Sequence, residues 1–164
     1  VIIKNANIMN AKTPLEILSG IKSVHAYFEL PALRFEKGTA ISGSMLVAAN
    51  VLATKMVMGQ AVLVEPTKQF LSSLETMEAI LTDENDDIIQ KAYGSALLGN
   101  PINVLTWLID NFKERGIELK EGDRISLGSL GKLFPFKKEK TYKYKIKIKY
   151  NQTSYSSEAS IYTN

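Results

Sequence analysis

The clearest pattern in the chain is an alternation of apolar and charged residues near its C-terminal end. From Tyr142 to Tyr150 every second residue is tyrosine or isoleucine, and lysines fill the positions between them. Side chains of a strand point alternately to opposite faces, so the pattern predicts a strand over 140–150 with one buried and one charged face. A turn over 151–154 and a last strand over 157–162 follow. The lysine face is interpreted as solvated, with a nucleic-acid surface as the sharper alternative.

A second pattern has the period of a helix and follows Asn100. Asn100 suits a helix cap, and Pro101 suits the first turn, where a missing N–H costs nothing. The next apolar residues form one stripe at helical spacing: Val104, Leu105, Leu108 and Phe112. Gly116 is placed to end the helix in a left-handed conformation. The sequence therefore predicts a helix that packs one face on a core.

Shorter patterns predict further elements in the first half of the chain. The sequence Thr-Pro-Leu-Glu from Thr13 has the composition of a capping box and predicts a short helix. Apolar, β-branched runs predict strands over 1–4 and 24–30. The run over 44–58 is apolar on nearly all sides and predicts a long buried helix. Residues 60–70 are predicted to be irregular.

The middle of the chain allows two interpretations. Residues 71–81 fit a helix, with Leu74, Met77 and Leu81 on one side, or the first strand of a hairpin. The acidic run over 83–87 favours a turn before Ile88. A calcium loop is the less favoured interpretation of this run, because the glycine and distal glutamate of an EF-hand loop are missing.

Composition narrows the class of protein. The chain has 164 residues, of which 45% are hydrophobic and 23% are charged, as in an ordinary globular domain. The net charge of +3 is too weak to argue for nucleic acid as a partner, and no apolar run is long enough for a membrane span. The chain contains no cysteine, which excludes disulfides and thiol chemistry within it.

The glycine-rich stretch over 128–131 is the first candidate for a site. It reads Gly-Ser-Leu-Gly and follows a predicted short strand over 124–127. Backbone N–H groups in such a loop can line a concave site for a carboxylate. A plain turn is the alternative, because glycines punctuate many loops.

Glu29 is the second candidate, since it stands between Phe28 and Leu30 in a predicted strand. A carboxylate among apolar neighbours is costly to bury unless it is paired or bound to a metal. The alternative is that Glu29 points to solvent, because strand residues alternate between faces. His25, the only histidine, lies four residues earlier and is expected to have a packing or surface role rather than to bind metal.

Several short segments, taken in order, resemble the C-terminal part of the 2-keto-4-pentenoate hydratases of the fumarylacetoacetate hydrolase superfamily. They are Glu29-Leu30-Pro31, Leu46-Val47-Ala48-Ala49-Asn50 with Gly59, Gly99-Asn100-Pro101, Trp107-Leu108, Leu119-x-x-Gly122-Asp123 and Gly128-Ser129-Leu130. The resemblance extends from about Thr13 to Lys137. It implies a β-rich α+β fold of curved mixed sheets with two or three helices, and a single hydratase-like domain over 1–164. It also favours the hairpin over the helix for residues 71–93.

The resemblance implies a hydro-lyase that adds water to a 2-hydroxy-2,4-dienoate with the help of a divalent metal, Mg²⁺ or Mn²⁺. The alternatives are a related oxo-acid decarboxylase or C–C hydrolase, or a non-catalytic member or fragment that only binds a small acid. The expected partner is a small 2-oxo acid, without nucleic acid or membrane. A homo-oligomer and a cytoplasmic location are also expected.

The same resemblance assigns roles to particular residues. Glu29 is expected to be a metal ligand, and Arg34, Asn50, Gly128 and Ser129 are expected to bind substrate; the catalytic residues stay unknown. In the family two further carboxylates, as Glu-x-Glu, would fall just before Val1. We therefore expect the chain to lack an N-terminal part of the family, to bind metal only weakly and to be inactive alone.

Three positions depart from the family pattern. Alanine stands at 32 and 49, where many relatives carry aspartate, and Leu52 stands in place of a serine. Asn50 is kept, but it can equally serve as a cap or bond a backbone group. Arg34 can pair with a substrate carboxylate or be a solvated loop residue.

Overall fold

The structure is a computed structural model that describes residues 1–32, 35–36 and 38–164. Within these residues it contains four α-helices: α1 (Pro14–Ser19), α2 (Gly43–Ala48), α3 (Lys68–Glu75) and α4 (Pro101–Glu114). The strands are β1 (Ile2–Ile3), β2 (Ile21–Val24), β3 (Tyr27–Leu30), β4 (Lys55–Met58), β5 (Val62–Leu63), β6 (Glu78–Thr82), β7 (Ile88–Tyr93), β8 (Lys140–Tyr150) and β9 (Thr153–Thr163). Short 3-10 helices occupy Ala6–Asn10, Asn50–Leu52 and Gly94–Ala96. The β-rich α+β class is confirmed.

The strands form three antiparallel sheets. The largest has the order β7-β6-β8-β9, and the others have the orders β1-β2-β5 and β3-β4. Asn151 and Gln152, between β8 and β9, have φ values of 47° and 60°, as a two-residue hairpin turn of type I′ requires. The long alternating strand is therefore the middle of the main sheet and continues directly into β9.

The two faces of β8 behave as the alternation predicts. Tyr142, Ile146 and Ile148 are buried in the core. On the opposite face Lys143 pairs with Asp86 at 2.7 Å and Lys145 with Glu158 at 2.8 Å. These ion pairs support the interpretation of the lysines as a solvated face rather than a nucleic-acid surface.

Local end signals place α1 and α4 where the sequence predicts them. The Thr13 hydroxyl accepts the Glu16 N–H at 3.3 Å, and the Glu16 carboxylate accepts the Thr13 N–H at 3.3 Å, which completes the capping box. Asn100 accepts the N–H of Ile102 at 3.0 Å, and Gly116 has φ +65° just after α4. The ends of both helices are therefore set by capping residues that lie within a few positions of the helix.

The predicted long helix over 44–58 is wrong. α2 ends at Ala48, and Asn50, Val51 and Leu52 follow with φ values of +51°, +51° and +62°. These left-handed residues stop the helix, and the chain continues into β4, which pairs with β3. The segment is not buried either, since Val47 is 75% exposed.

The predicted strand over 24–30 is divided into β2 and β3, which belong to different sheets. The break falls at His25 and Ala26. There Ser157, on β9, accepts the N–H of Ala26 through its hydroxyl at 2.9 Å. The predicted strand over 124–127 is likewise reduced to one bridge between Arg124 and Ile2.

The resemblance favoured a hairpin over 71–93, but residues 71–75 are helical. The middle of the chain therefore contains both elements that the sequence allowed, one after the other. α3 ends at Glu75, and the hairpin of β6 and β7 follows. Residues 60–70, predicted to be irregular, contain β5 and the start of α3. Asp83 accepts the N–H groups of Asn85 and Asp87 at 2.9 and 3.0 Å, so the acidic run forms a turn. Over the described ranges, no helix is both long and apolar enough to cross a membrane.

Two hydrophobic clusters form the core. The larger joins α1, α3, α4 and the inner face of the sheets, and Phe70, Leu105 and Ile148 are among its fully buried members. The smaller surrounds Phe28 and Tyr142. Tyr144 packs against both clusters.

Candidate functional site

A cavity of about 580 Å³ lies where the two clusters meet. Most of the side chains that line it are apolar, and they come from both clusters, such as Leu74 and Ile146 from the larger and Phe28 and Leu81 from the smaller. The volume and the apolar lining are typical of pockets for small molecules. We therefore take this cavity as the candidate site.

One wall of the cavity is a loop without regular secondary structure, residues 127–134, called the cavity loop below. Its glycines adopt conformations that other residues avoid, with φ +103° at Gly128 and +145° at Gly131. Gly128 and Ser129, both expected to bind substrate, line the cavity in this loop. The Ser129 hydroxyl donates to the carbonyl of Gly131 at 3.1 Å, so its proton is used within the loop.

Glu29 lies on β3, and its side chain is exposed and lines the cavity. Tyr27, on the same strand, hydrogen-bonds to the hydroxyl of Ser126 just before the cavity loop. Burial raises the pKa of Tyr27; the bond to Ser126 opposes this shift, and the charge of Glu29 adds to it. Both phenols of the cavity are kept neutral at ordinary pH, because burial also raises the pKa of Tyr144 to about 12.

His25 lines the cavity but is held by two hydrogen bonds. Its Nδ1 is 2.9 Å from the carbonyl oxygen of Gly59, which can only accept, so Nδ1 carries a proton. Its Nε2 lies 2.8 Å from the hydroxyl of Ser23. Ser23 is only 2% exposed and does not line the cavity, so this Ser–His contact is structural rather than a nucleophile with its base.

Asn50 and Arg34 differ from the other expected site residues. Asn50 is exposed and does not line the cavity, although its neighbours Val51 and Leu52 do. The backbone carbonyl of Asn50 accepts a hydrogen bond from the N–H of Ala53 at 3.0 Å, so this residue helps to form the turn after α2. Arg34 lies outside the described residues.

The residues present do not by themselves fit a divalent metal. No cluster of three or more His, Asp or Glu side chains that could hold a metal occurs within 1–32, 35–36 and 38–164. The remaining positions are leucine, arginine and lysine, which do not ligate Mg²⁺. Glu29 is the only carboxylate among the described residues of the cavity wall.

Two polar residues of the cavity were missed at the sequence level. Lys132 lies in the cavity loop, and it and Glu29 are the two formally charged side chains among the described lining residues. Gln90, on β7, reaches the same loop from 42 positions earlier in the chain. The lysine directly after Gly128-Ser129-Leu130-Gly131 was a visible signal, whereas nothing local marks Gln90.

Comparison with known proteins shows which fold the chain shares and which proteins part of it resembles. No family model matches the chain. It superposes over its full length on 4-oxalocrotonate decarboxylase from Pseudomonas putida G7, complexed with magnesium and adipate, with a TM-score of 0.75, 18% sequence identity and 57% of that chain covered. The complex of this enzyme with calcium and acetate gives a TM-score of 0.70, again at 18% identity, with 55% covered. The chain therefore shares the fold of this decarboxylase over its full length.

Part of the chain is similar in sequence to 2-keto-4-pentenoate hydratases, which confirms the resemblance seen in the sequence. It is 34% identical over 64 residues to a hydratase of Paraburkholderia phymatum and 33% identical over 64 residues to one of Burkholderia vietnamiensis. Each match covers 39% of this chain and only 24% of the relative.

Proposed function

We propose that this chain forms the acid-binding part of a hydratase-like lyase that adds water to a 2-hydroxy-2,4-dienoate. The observation that carries the proposal is the apolar cavity with one cationic and one anionic side chain in its wall, Lys132 and Glu29. The sequence similarity to the 2-keto-4-pentenoate hydratases supports this type of reaction.

The chemistry of the wall suits such a substrate. The carbon chain of a dienoate is apolar and would lie against the side chains from the two core clusters. Its carboxylate would pair with the ammonium of Lys132, and the N–H groups of Ser129 and Leu130 in the cavity loop would add further donors. The N–H of Gly128 already donates to the Ser126 hydroxyl at 3.4 Å. Tyr27 and Tyr144, neutral at ordinary pH, would offer hydroxyl groups to the enol or oxo oxygen.

The divalent metal that the proposed reaction requires is not part of the contacts described above. The neighbouring decarboxylase structures hold magnesium or calcium, but Glu29 is the single carboxylate among the described residues that line the cavity. We expect the chain alone to bind Mg²⁺ with a dissociation constant above about 1 mM, because Mg²⁺ gives up its bound water reluctantly and one carboxylate is a poor replacement. Calorimetry with Mg²⁺ measures this. Tight one-to-one binding that is lost in Glu29→Gln would mean that the chain contains a site of its own.

The test of acid binding uses 2-oxopentanoate, a short 2-oxo acid with an apolar tail. Calorimetry should detect binding to the chain, and Lys132→Met should weaken it about fivefold, the effect of one partly solvated charge pair. Lys138→Met is the matched control, because Lys138 is an exposed lysine that does not line the cavity. Equal affinities in the two variants would contradict the role given to Lys132.

A second candidate function is decarboxylation of a related oxo acid, which the fold of the decarboxylase neighbours favours. The two reactions differ in their products. With the full-length protein, loss of the diene absorbance without release of CO₂ would support hydration. Release of CO₂ from a 2-oxo dicarboxylate would support the decarboxylase. Activity with neither substrate, together with intact 2-oxopentanoate binding, would support a non-catalytic acid-binding member.

The proposal includes a homo-oligomer. Its support is the exposed apolar surface around α2, where Val47 is 75% exposed and Val51 63% exposed. Sedimentation of the chain should give a mass above that of one copy, and Val47→Lys should lower it. A monomer at all concentrations would remove this part of the proposal.

A further inference from the structure

Gln90 makes an unusual contact with the cavity loop. Its side-chain Nε2 donates to the carbonyl oxygen of Lys132 at 3.0 Å, and the Lys132 N–H donates to its Oε1 at 3.1 Å. One side-chain amide thus satisfies both backbone groups of one residue, as a neighbouring strand would do. Only this orientation of the amide allows both bonds, because the reverse would face donor with donor.

The position of Gln90 on β7 explains how it reaches the loop. β7 is an edge strand of the main sheet, paired there with β6. Successive side chains point to opposite faces, so Gln90 lies in the cavity wall while Lys91 pairs with Glu78 at 2.9 Å.

Gly131 is adapted to this contact. A Cβ added to Gly131 would overlap Oε1 of Gln90, and the φ of +145° is one that other residues avoid. Leu130, before Gly131, packs against the larger cluster, whereas Leu133, after Lys132, is 89% exposed. At its far end Phe134 is fixed by edge-to-face packing on Tyr142, with 5.6 Å between the ring centres.

We propose that Gln90 is a positioning residue that acts through Lys132. The two hydrogen bonds fix the backbone of Lys132 and thereby aim its ammonium at the acid in the cavity. This inference rests on the proposed function for its ligand. The hydrogen bonds themselves can be tested without any ligand.

The first measurement is hydrogen exchange at the amide of Lys132. Gln90→Leu keeps the size of the side chain but removes both bonds, and we expect exchange at Lys132 to become about fivefold to thirtyfold faster. Gln60→Leu is the matched control, because Gln60 makes a similar pair of bonds to Ser156 and Glu158 on β9, away from the cavity. Unchanged exchange at Lys132 in Gln90→Leu would overturn the proposal.

The second measurement is affinity for 2-oxopentanoate, together with the melting temperature. Gln90→Leu should weaken binding about threefold to fivefold, while Gln60→Leu should bind like the wild type. In a Lys132→Met background, Gln90→Leu should have no further effect, because the group that it positions is gone. A full effect that persists in this background would show that Gln90 does not act through Lys132.

A second variant guards against misfolding of the first. Gly131→Ala leaves Gln90 unchanged but places a methyl group against its Oε1, and should therefore also speed exchange at the amide of Lys132. A wild-type exchange rate in this variant would contradict the proposal. If the wild-type chain binds no 2-oxo acid, the proposed function fails, and the exchange rates alone decide whether Gln90 fixes the loop.

Discussion

Gly128 allows a sharp test of whether the cavity loop binds the acid or merely turns the chain. Its φ of +103° is in a region that is nearly restricted to glycine, so any other residue there strains the backbone by about 1–3 kcal/mol. Space is not limiting for the first atom. A Cβ built on Gly128 would lie 3.6 Å from Cδ2 of Leu97, which is an ordinary van der Waals contact.

Gly128→Ala and Gly128→Val should therefore share a backbone cost of about 2 kcal/mol, the middle of that range. For a chain of 164 residues each kcal/mol lowers the melting temperature by about 2–4 °C, which gives about 4–8 °C. The two variants differ only in the atoms beyond Cβ. Valine adds two methyl groups at a residue that lines the cavity, and these should reduce the space for the acid.

The assay measures the melting temperature and the affinity for 2-oxopentanoate in both variants. Gly116→Ala is the control, because Gly116 has φ +65° but no atom within 4 Å of an added Cβ, and it does not line the cavity. We expect all three variants to melt early and Gly128→Val to bind much more weakly than the other two. If Gly128→Val melts early yet binds 2-oxopentanoate as the wild type does, Gly128 only serves a turn.

Two further predictions concern the core and the cavity phenol. Phe70 is 1% exposed and packs edge-on against Tyr150, with ring centres 5.5 Å apart, so Phe70→Ala should lower the free energy of unfolding in urea by about 3–5 kcal/mol. Leu63→Ala, at a side chain 68% exposed, is the control and should change it by less than about 0.5 kcal/mol; equal losses would refute the packing argument. Burial raises the pKa of Tyr144 to about 12, so stability that is fully present below pH 10 should be lost progressively as the pH rises from 10 to 12. Tyr144→Phe should reduce this loss, and an unchanged slope would show that Tyr144 is not the group responsible.

The sequence predicted the elements whose ends are fixed by near neighbours. α4 begins at a cap two residues from its partner and ends at a glycine, so both signals are local. Strict alternation predicted β8 and its return as a last strand, although β9 begins at Thr153 rather than at 157, because the turn has two residues instead of the predicted four. The capping box of α1 belongs to the same group.

The predictions failed where a distant part of the chain decides the local structure. The apolar composition over 44–58 suits a buried helix, but three left-handed residues after Ala49 and the pairing of β4 with β3 override it. The break between β2 and β3 depends on Ser157, which is 131 positions from Ala26. No local pattern carries that information.

The same difference between local signals and distant contacts separates the residues of the candidate site. Glu29, Gly128 and Ser129 could be named from short motifs, and all three line the cavity. Asn50 could be named in the same way, but it lies outside the cavity wall. Gln90 could not be named, because an isolated glutamine on an edge strand gains meaning only from the loop that it meets 42 residues later.

The cavity itself follows from the division of the core into two clusters. Because the chain breaks at His25 and Ala26, β2 packs in the larger cluster while Phe28 of β3 packs in the smaller. β6 and β8 contribute to both, with Ala79 and Ile146 on one side and Leu81 and Tyr142 on the other. Tyr144 bridges the boundary, with its ring centre 5.9 Å from that of Phe28. A bulky, neutral side chain at this point keeps the clusters joined without filling the space between them, and the cavity loop closes that space from outside. The cavity is thus built on strands, with one loop as a wall, so we expect its affinity for an acid to depend more on the contacts that hold this loop than on any single core residue.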